Sequence, residues 1–357
     1  MDVKKSLLLW IVVTLAFVAC GSNHVGHVAY VAMAGADQVA GYKVDGSGKL
    51  SQLSGSPFSA GSSPSSIYVH PSKKFAYAAN RDGGDISLFT IDSKSRALTE
   101  ASKRTTAGSN PSSLSMDSEG KFLFVANSGT DNISVYSIDS STGTLTEVAA
   151  SPFPAGSRPI ALTVSSGGKF LYAANANSAS VSAYSVSSSS GQLTAISGSP
   201  YAVGVDPYSL ATDPGGHFLY VANLESRTVS AFTIDATSGA LSTVSNSPFE
   251  VGANPISAAI DTSGKHLYVA NSGSSNVSAF SIDSSTGGLT EVTGSPFSAG
   301  STPVFAAVDS SGQFLFVGDQ SSKIYGYSID SSTGALSGTE GSPYTTSSSP
   351  SAIFTIQ

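Results

Sequence analysis

Three arginines offer the clearest chemistry in a chain of 357 residues, of which only 11% are charged. Arg81, Arg158 and Arg227 each carry a planar guanidinium that can hold a carboxylate or phosphate through two parallel hydrogen bonds. The other candidate ligand-binding residues are Asp82, Asp206, Tyr208 and Glu225. Together the seven predict a site for a small anionic or sugar-like ligand. The alternative is that the charges only keep a serine-rich surface soluble, since exposed ion pairs contribute little.

Catalytic chemistry is harder to place than binding. His70, His217 and His266 lie at or beside turns, and neither they nor His24 and His27 have the spacing of a metal site. No serine stands in the Gly-x-Ser-x-Gly setting of a hydrolase nucleophile. We therefore expect no metal and no cofactor, assign no catalytic residue, and interpret the three histidines at turns as polar surface residues.

The elements that position these residues belong to a repeat. The segment Phe218–Asn223 recurs in seven versions, whose starts are 47 or 48 residues apart. Around each version, runs with a period of two alternate with Gly-rich joints, which is typical of four antiparallel strands connected by hairpin turns. Seven such units predict an all-β fold, a seven-bladed β-propeller covering residues 28–357.

The two ends of the chain are predicted to close the ring together. A proline precedes each innermost strand, at Pro64, Pro111, Pro159, Pro207, Pro255, Pro303 and Pro350. The first unit has no innermost strand before residue 28, and the segment 351–356 is an innermost strand with no further strands after it. We expect this C-terminal strand to complete the N-terminal blade, because an open seam would expose unpaired backbone groups.

Strand order predicts that the candidate residues share one rim. In an antiparallel blade, the loop after the second strand and the loop into the innermost strand lie at the same end, around the mouth of the channel. All seven candidate residues stand in or next to these loops, where the repeat is broken. Repeated residues serve the scaffold, so these departures indicate where function lies.

Most repeated side chains have a structural interpretation. A single Asp ends the third strand of six units, where it can accept hydrogen bonds from the following turn. Such isolated acids do not make a calcium site, which needs several carboxylates in one loop. An aromatic residue follows Ser-Pro in six units and is interpreted as a plug between blades, at Phe58, Phe153, Tyr201, Phe249, Phe297 and Tyr344. Stacking of bases or sugars on these rings is the alternative.

The N-terminal segment predicts export. Lys4 and Lys5 precede an apolar run that is short for a membrane span, so residues 1–19 are interpreted as a signal peptide. Cys20 is the only cysteine, and the sequence around it resembles the bacterial lipobox, in which the cysteine carries the lipid. Residues 20–27 are then the lipid-attachment site and a short linker. We expect a periplasmic or outer-surface lipoprotein of the bacterial envelope, or a secreted protein if Cys20 is not lipidated.

Charge limits the partners. The formal net charge is −7, which argues against binding to nucleic acid. We expect a monomer that contacts the membrane through a lipid anchor only. Its expected partner is a small anionic or sugar-like ligand, or a cell-surface protein or glycan.

One repeat, from Gly120 to Asn127, carries a family resemblance. With a proline opening each innermost strand, it resembles the lactonase-type seven-bladed propellers and the related Tyr-Val-Thr-Asn repeats of surface proteins. The first group includes a bacterial 6-phosphogluconolactonase and the fungal muconate-lactonising enzyme. The resemblance covers residues 28–357 and implies lactone hydrolysis at the mouth of the channel.

The motifs that this resemblance assigns to the active-site mouth are only partly present. In the enzymes, Pro-Arg-His opens an innermost strand and Asn-Glu follows a second strand. Here no Arg-His follows any of the seven prolines, and Glu225 stands one place late after Asn223. Asn80-Arg81 matches an Asn-Arg of the family. We therefore expect a binding or cell-surface interaction module, with a hydrolase of sugar or other lactones as the alternative.

Overall fold

The computed structural model describes residues 27–356 as a ring of seven antiparallel sheets. Each sheet has four strands that follow one another from the channel outward, which confirms the predicted seven-bladed propeller. The predicted signal peptide and Cys20 lie outside the described residues.

The N-terminal blade, blade 1, is completed by the C-terminus as predicted. Its strands from the channel outward are Ala352–Ile356, His27–Met33, Gln38–Val44 and Leu50–Gln52. The C-terminal strand pairs antiparallel with His27–Met33, in a register running from Ala32 opposite Ala352 to Val28 opposite Ile356. The seam of the ring therefore has no open sheet edge.

Blades 2 to 7 repeat one strand pattern. Their innermost strands are Pro64–Val69, Pro111–Met116, Pro159–Val164, Pro207–Thr212, Pro255–Ile260 and Pro303–Val308. Their second strands are Phe75–Asn80, Phe122–Asn127, Phe170–Asn175, Phe218–Asn223, His266–Asn271 and Phe314–Asp319. The third strands are Asp85–Ile91, Asn132–Ile138, Ser180–Val186, Thr228–Ile234, Asn276–Ile282 and Lys323–Ile329. The fourth strands are Leu98–Glu100, Leu145–Glu147, Leu193–Ala195, Leu241–Thr243, Leu289–Glu291 and Leu336–Gly338.

Short elements accompany the blades. A two-residue strand pairs with each third strand, at Phe58–Ser59, Thr105–Thr106, Phe153–Pro154, Tyr201–Ala202, Phe249–Glu250, Phe297–Ser298 and Tyr344–Thr345. Single turns of 3-10 helix follow two second strands, at Ala34–Ala36 and Ala176–Ser178. The aromatic residues after Ser-Pro lie in these short strands, and Phe153, for example, is buried in the cluster between blades 3 and 4. Their interpretation as plugs agrees with this packing.

The hydrophobic core lies between the blades. Seven clusters of buried side chains each join two neighbouring sheets, including one between blades 7 and 1. The second strands contribute most, because all six residues are buried in each of the second strands of blades 2 to 7. A small core between every pair of blades makes the ring one cooperative unit.

Hydrogen bonds from buried tyrosine hydroxyls also link adjacent blades. Tyr220 lies in the second strand of blade 5 and donates to the carbonyl oxygen of Gly287 in blade 6 at 2.9 Å. The equivalent hydrogen bond is donated by Tyr30, Tyr77, Tyr172 and Tyr268. Burial raises the pKa of each of these hydroxyls well above its usual range, because the interior disfavours the phenolate.

The repeated asparagine at the end of the second strand is structural. Asn127 is fully buried; its amide donates to Asn132 and Ser134, and its oxygen accepts the Gly108 amide at 3.1 Å. A Cβ on Gly108 would lie 2.6 Å from Cγ of Asn127, so only glycine fits there without a shift. The same packing of Gly on Asn recurs in blades 2, 4, 5 and 6.

The predicted turn role of the repeated Asp is confirmed. Asp139 accepts hydrogen bonds from the amides of Ser141 and Thr142 at 3.0 and 2.8 Å, together with both hydroxyls. These bonds, led by that of the Ser141 hydroxyl, lower the pKa of Asp139 to about 2. Ser187 replaces Asp in blade 4 and accepts the Ser190 amide at 3.3 Å, a weaker version of the same contact.

The interpretation of the histidines as surface residues is wrong for two of the three. His70 is 5% exposed, and its Nε2 lies 2.9 Å from the carbonyl oxygen of Gly120 in the next blade. His266 is 3% exposed and contacts Asp261 at 2.8 Å. Only His217, with a side chain 68% exposed, matches the expectation. The sequence shows that these histidines lie at or beside turns, but it does not show that an adjacent blade can cover such a turn.

Two further observations concern residues 27–356 as a whole. No helix in this part has the length and apolar character needed to cross a bilayer. No group of three or more His, Cys, Asp or Glu side chains within it is arranged to hold a metal ion.

Candidate functional site

The central channel opens into a cavity of about 680 Å³ on the rim where the candidate residues were expected. Its wall consists mainly of the residues that follow the proline of each innermost strand. The innermost strands contact one another in ring order, so these positions meet around one opening. The two residues after each proline therefore set most of the chemistry of the wall.

One side of this wall is lined with serine. We call it the hydroxyl arc, and it comprises Ser349 and Ser351 of blade 1, Ser65 and Ser66 of blade 2, and Ser112 and Ser113 of blade 3. These three blades are neighbours in the ring. The hydroxyl arc is therefore one continuous polar surface.

Half of these hydroxyls hold the ring together. Ser351 donates to the carbonyl oxygen of Pro64 at 2.6 Å, and Ser65 donates to that of Pro111 at 2.8 Å. Ser112 continues the series into blade 4. In each case the first serine after a proline donates its proton to the next blade, which fixes the spacing of the innermost strands.

The second serine of the pair has the opposite role. Ser66 accepts the Leu114 amide at 3.2 Å, and Ser113 accepts the Leu162 amide at 3.1 Å. Within residues 27–356 neither hydroxyl proton has an acceptor. Because both residues line the cavity, these two O–H groups can donate to an oxygen atom of a ligand.

The other side of the wall is largely apolar. We call it the apolar arc, and it comprises Ile160, Tyr208, Ile256, Val304 and Phe305 of blades 4 to 7. Two serines also line this side. Ser209 accepts the Ala258 amide at 3.0 Å and, like Ser66 and Ser113, has no acceptor for its proton within residues 27–356. Ser257 accepts the Ala306 amide at 3.0 Å and donates to the carbonyl oxygen of Ala306 at 3.2 Å. The Tyr208 ring adds a hydroxyl to this side.

Arg81 is the one charged residue in the lining of the cavity. It follows the second strand of blade 2 directly, and its Nη2 donates to the Ser63 hydroxyl at 3.3 Å. Its Nε lies 3.5 Å from a carboxylate oxygen of Asp82, and both side chains are more than half exposed. A cation thus stands at the end of the cavity wall, beside the hydroxyl arc.

Arg158 and Asp206 pair with each other outside the lining. An Nη1 to Oδ1 distance of 3.5 Å joins them across blades 4 and 5. Both have left-handed backbones, with φ of 56° and 55°, and the Arg158 amide donates to Asp131 at 2.7 Å. Their positions in the repeat are equivalent, so the ring places them side by side.

The remaining candidates also lie outside the lining. Glu225 and Arg227 are exposed in the loop after the second strand of blade 5, and Asp82 is exposed beside Arg81. Of the seven residues expected to bind a ligand, the structure brings Arg81 and Tyr208 to the cavity. The other five stand on the rim around it.

Several cavity residues were missed by sequence reasoning. Phe305, Val304 and Gln320 of blade 7 line the wall, as do Ile160 and Ile256. The signal was available, because Phe305 is the second residue after its proline, where four other blades have serine. Phe305 was not predicted as a site residue because the candidates were chosen mainly for their charge.

The lining supplies a defined set of interactions. Arg81 offers a cation, Ser66 and Ser113 offer protons, and the opposite arc offers apolar surface. Such a mixture of apolar wall and a few polar groups is usual for small-molecule sites, whose volumes run from about 300 to 1,000 Å³. The arrangement can hold an oxygen-rich ligand and polarise a carbonyl group.

Comparison with models of known protein families identifies the family of this chain. The profile of the family described as lactonase, 7-bladed beta-propeller, matches residues 22–159, 148–256 and 243–350. The chain belongs to the lactonase family. No curated protein matches it.

Solved structures of similar fold include proteins from three bacteria. One from Bacteroides uniformis, named as a candidate 6-phosphogluconolactonase, is 18% identical with a TM-score of 0.82, covering 93% of this chain and 99% of that one. Its counterpart from Bacteroides fragilis is 20% identical with a TM-score of 0.81, covering 94% and 99%. The periplasmic gluconolactonase PpgL of Pseudomonas aeruginosa is 21% identical with a TM-score of 0.75, covering 93% and 99%. Because the sequence identities to these three structures are low, the likeness to them shows the fold alone.

Proposed function

We propose that this lactonase-family propeller binds a small oxygen-rich ligand, of the sugar-acid or lactone type, in its channel cavity. The observation that carries the proposal is the convergence of Arg81 with the spare O–H groups of Ser66 and Ser113 on one side of the cavity. A cation and two preplaced donors are complementary to a carboxylate or lactone carbonyl.

The test is a calorimetric titration with gluconate, which is chemically stable and carries both a carboxylate and hydroxyls. We expect Arg81→Ala to weaken binding about tenfold, the lower end for a charge-assisted bond, because Arg81 is half exposed. Arg227→Ala is the matched control, since Arg227 is an exposed arginine of the same rim outside the lining. Equal weakening by both variants, or no binding of gluconate, contradicts the proposal.

Lactone hydrolysis is the second candidate, and it is favoured by membership of the family. A lactone carbonyl held by Arg81, Ser66 and Ser113 would be polarised toward attack by water, and the same groups would stabilise the developing oxyanion. Ring opening of gluconolactone, followed by titration of the released acid, separates the two candidates. A hydrolase must exceed the spontaneous rate and lose turnover on Arg81→Ala, whereas a binding protein has no turnover to lose.

We further propose that the protein is exported and held to a membrane by a lipid on Cys20. Two observations support this: Cys20 is the sole cysteine and follows a signal-like segment, and a fold relative is named as periplasmic. Cys20→Ser should move the protein from the membrane fraction to the soluble fraction, because acyl chains provide the anchoring. A wild-type protein that is already soluble and has a different N-terminal residue would contradict the lipid anchor.

A further inference from the structure

The cavity wall is divided between two kinds of chemistry. The hydroxyl arc occupies blades 1 to 3, and the apolar arc occupies blades 4 to 7, where Ser209, Ser257 and Gln320 also line the wall. A sugar or sugar acid alone presents hydroxyls in every direction and would leave them facing Ile256, Val304 and Phe305. Polar groups without partners carry a desolvation cost, so the apolar arc contributes more to the binding of a ligand that also carries apolar surface.

The apolar arc shows a paired departure from the repeat. Phe305 replaces the serine found at Ser66, Ser113, Ser209 and Ser257. Gly318 faces it from the second strand of blade 7, where every other blade has alanine. A Cβ on Gly318 would collide with the Phe305 ring and lie 2.8 Å from Cγ of Pro350. The glycine therefore makes room for the ring, which is 6% exposed and forms part of the wall.

The size of the cavity agrees with a ligand larger than a single sugar. About 680 Å³ corresponds to roughly twenty groups the size of water, at about 30 Å³ each. Gluconate has only about thirteen non-hydrogen atoms, so space remains beside the apolar arc.

We propose that the ligand is a lactone or sugar acid that carries an alkyl or aryl substituent. Its polar ring faces Arg81 and the hydroxyl arc, and its substituent packs against the apolar arc, with Phe305 as the residue that determines this specificity. The inference rests on the proposed function, because it concerns the ligand of the same cavity.

The test is a titration of the purified protein with three γ-lactones that share one ring and differ in their side chain: γ-valerolactone with methyl, γ-octalactone with butyl and γ-decalactone with hexyl. We expect the affinity of the wild type to rise about fourfold for each methylene that becomes buried. Phe305→Ser combined with Gly318→Ala restores the residues found in blades 2, 3, 5 and 6, and the added methyl group fills part of the space left by the ring. Relative to its own affinity for γ-valerolactone, this double variant should lose most of the gain in affinity from butyl and hexyl.

The outcomes separate this inference from the proposed function. If gluconate binds and responds to Arg81→Ala, but lactone affinity does not depend on chain length, the inference is overturned and the proposed function stands. A chain-length dependence that the double variant retains in full also overturns it, because the substituent then lies elsewhere. If neither gluconate nor any of the lactones binds, both proposals fall.

Discussion

Removal of residues 350–357 should open the ring at blade 1. This truncation deletes the innermost strand Ala352–Ile356, which pairs with His27–Met33. It also removes the hydroxyl of Ser351, which links blade 1 to Pro64 of blade 2. The backbone of His27–Met33 would then be exposed as a free sheet edge, which is prone to pair with other chains.

The expected loss is large relative to the stability of a protein. The pairing spans five residue pairs, so at a net value of roughly 1 kcal/mol for each hydrogen bond the ladder contributes about 5 kcal/mol. Ile356 is 6% exposed in the cluster between blades 1 and 2, which adds about 2 kcal/mol. Since whole domains are stable by about 5–15 kcal/mol, the truncation should remove half or more of the total.

Urea unfolding followed by circular dichroism, together with size-exclusion chromatography, tests this expectation. The truncated protein should aggregate or unfold at a much lower urea concentration. Phe354→Ala is the control, because it keeps the ladder and removes the packing of the ring against Tyr68, whose centroid lies 4.5 Å away, and against the cluster between blades 1 and 2. It should cost about 2 kcal/mol, less than for a fully buried phenylalanine. A truncated protein that stays monomeric and equally stable would show that the ring closes by another pairing.

Three smaller perturbations test the scaffold. Tyr220→Phe should cost about 1 kcal/mol in urea unfolding by leaving the Gly287 carbonyl unpaired, and an unchanged midpoint would refute this link. Gly108→Ala should cost about 1–3 kcal/mol because its Cβ meets Asn127, whereas the control Gly338→Ala meets nothing within 4 Å and should be nearly neutral. Because the pKa of Asp139 is lowered in the folded state, its ionised carboxylate stabilises the fold above about pH 4. The difference in melting temperature between wild type and Asp139→Ala should therefore vanish as pH falls from about 4 to 2. A constant difference would exclude ionisation as the cause.

The propeller could be predicted because its signals are local and repeated. The recurring proline before each innermost strand and the six-residue second strand fix the phase of every blade, and Asp139 shows how a turn is specified by residues two and three positions away. The closure of blade 1 could be predicted because the first unit lacks an innermost strand, whereas the C-terminal segment is an innermost strand with no further strands after it.

The site was less predictable because it depends on contacts between blades. Nothing within one repeat indicates that Gly120 of the next blade covers His70. Arg158 and Asp206 both stand directly before a proline of the repeat, but their pairing follows from the ring geometry. The division of the wall into two arcs likewise requires the seven strands to be arranged in a circle.

The most direct test of ligand binding in the channel cavity is a crystal structure of the protein soaked with gluconate at a saturating concentration. We expect ligand density in the cavity, with the carboxylate within hydrogen-bond distance of Arg81 and ligand oxygens facing the hydroxyls of Ser66 and Ser113. An empty cavity, or gluconate bound instead at the outer edges of the blades, would contradict it.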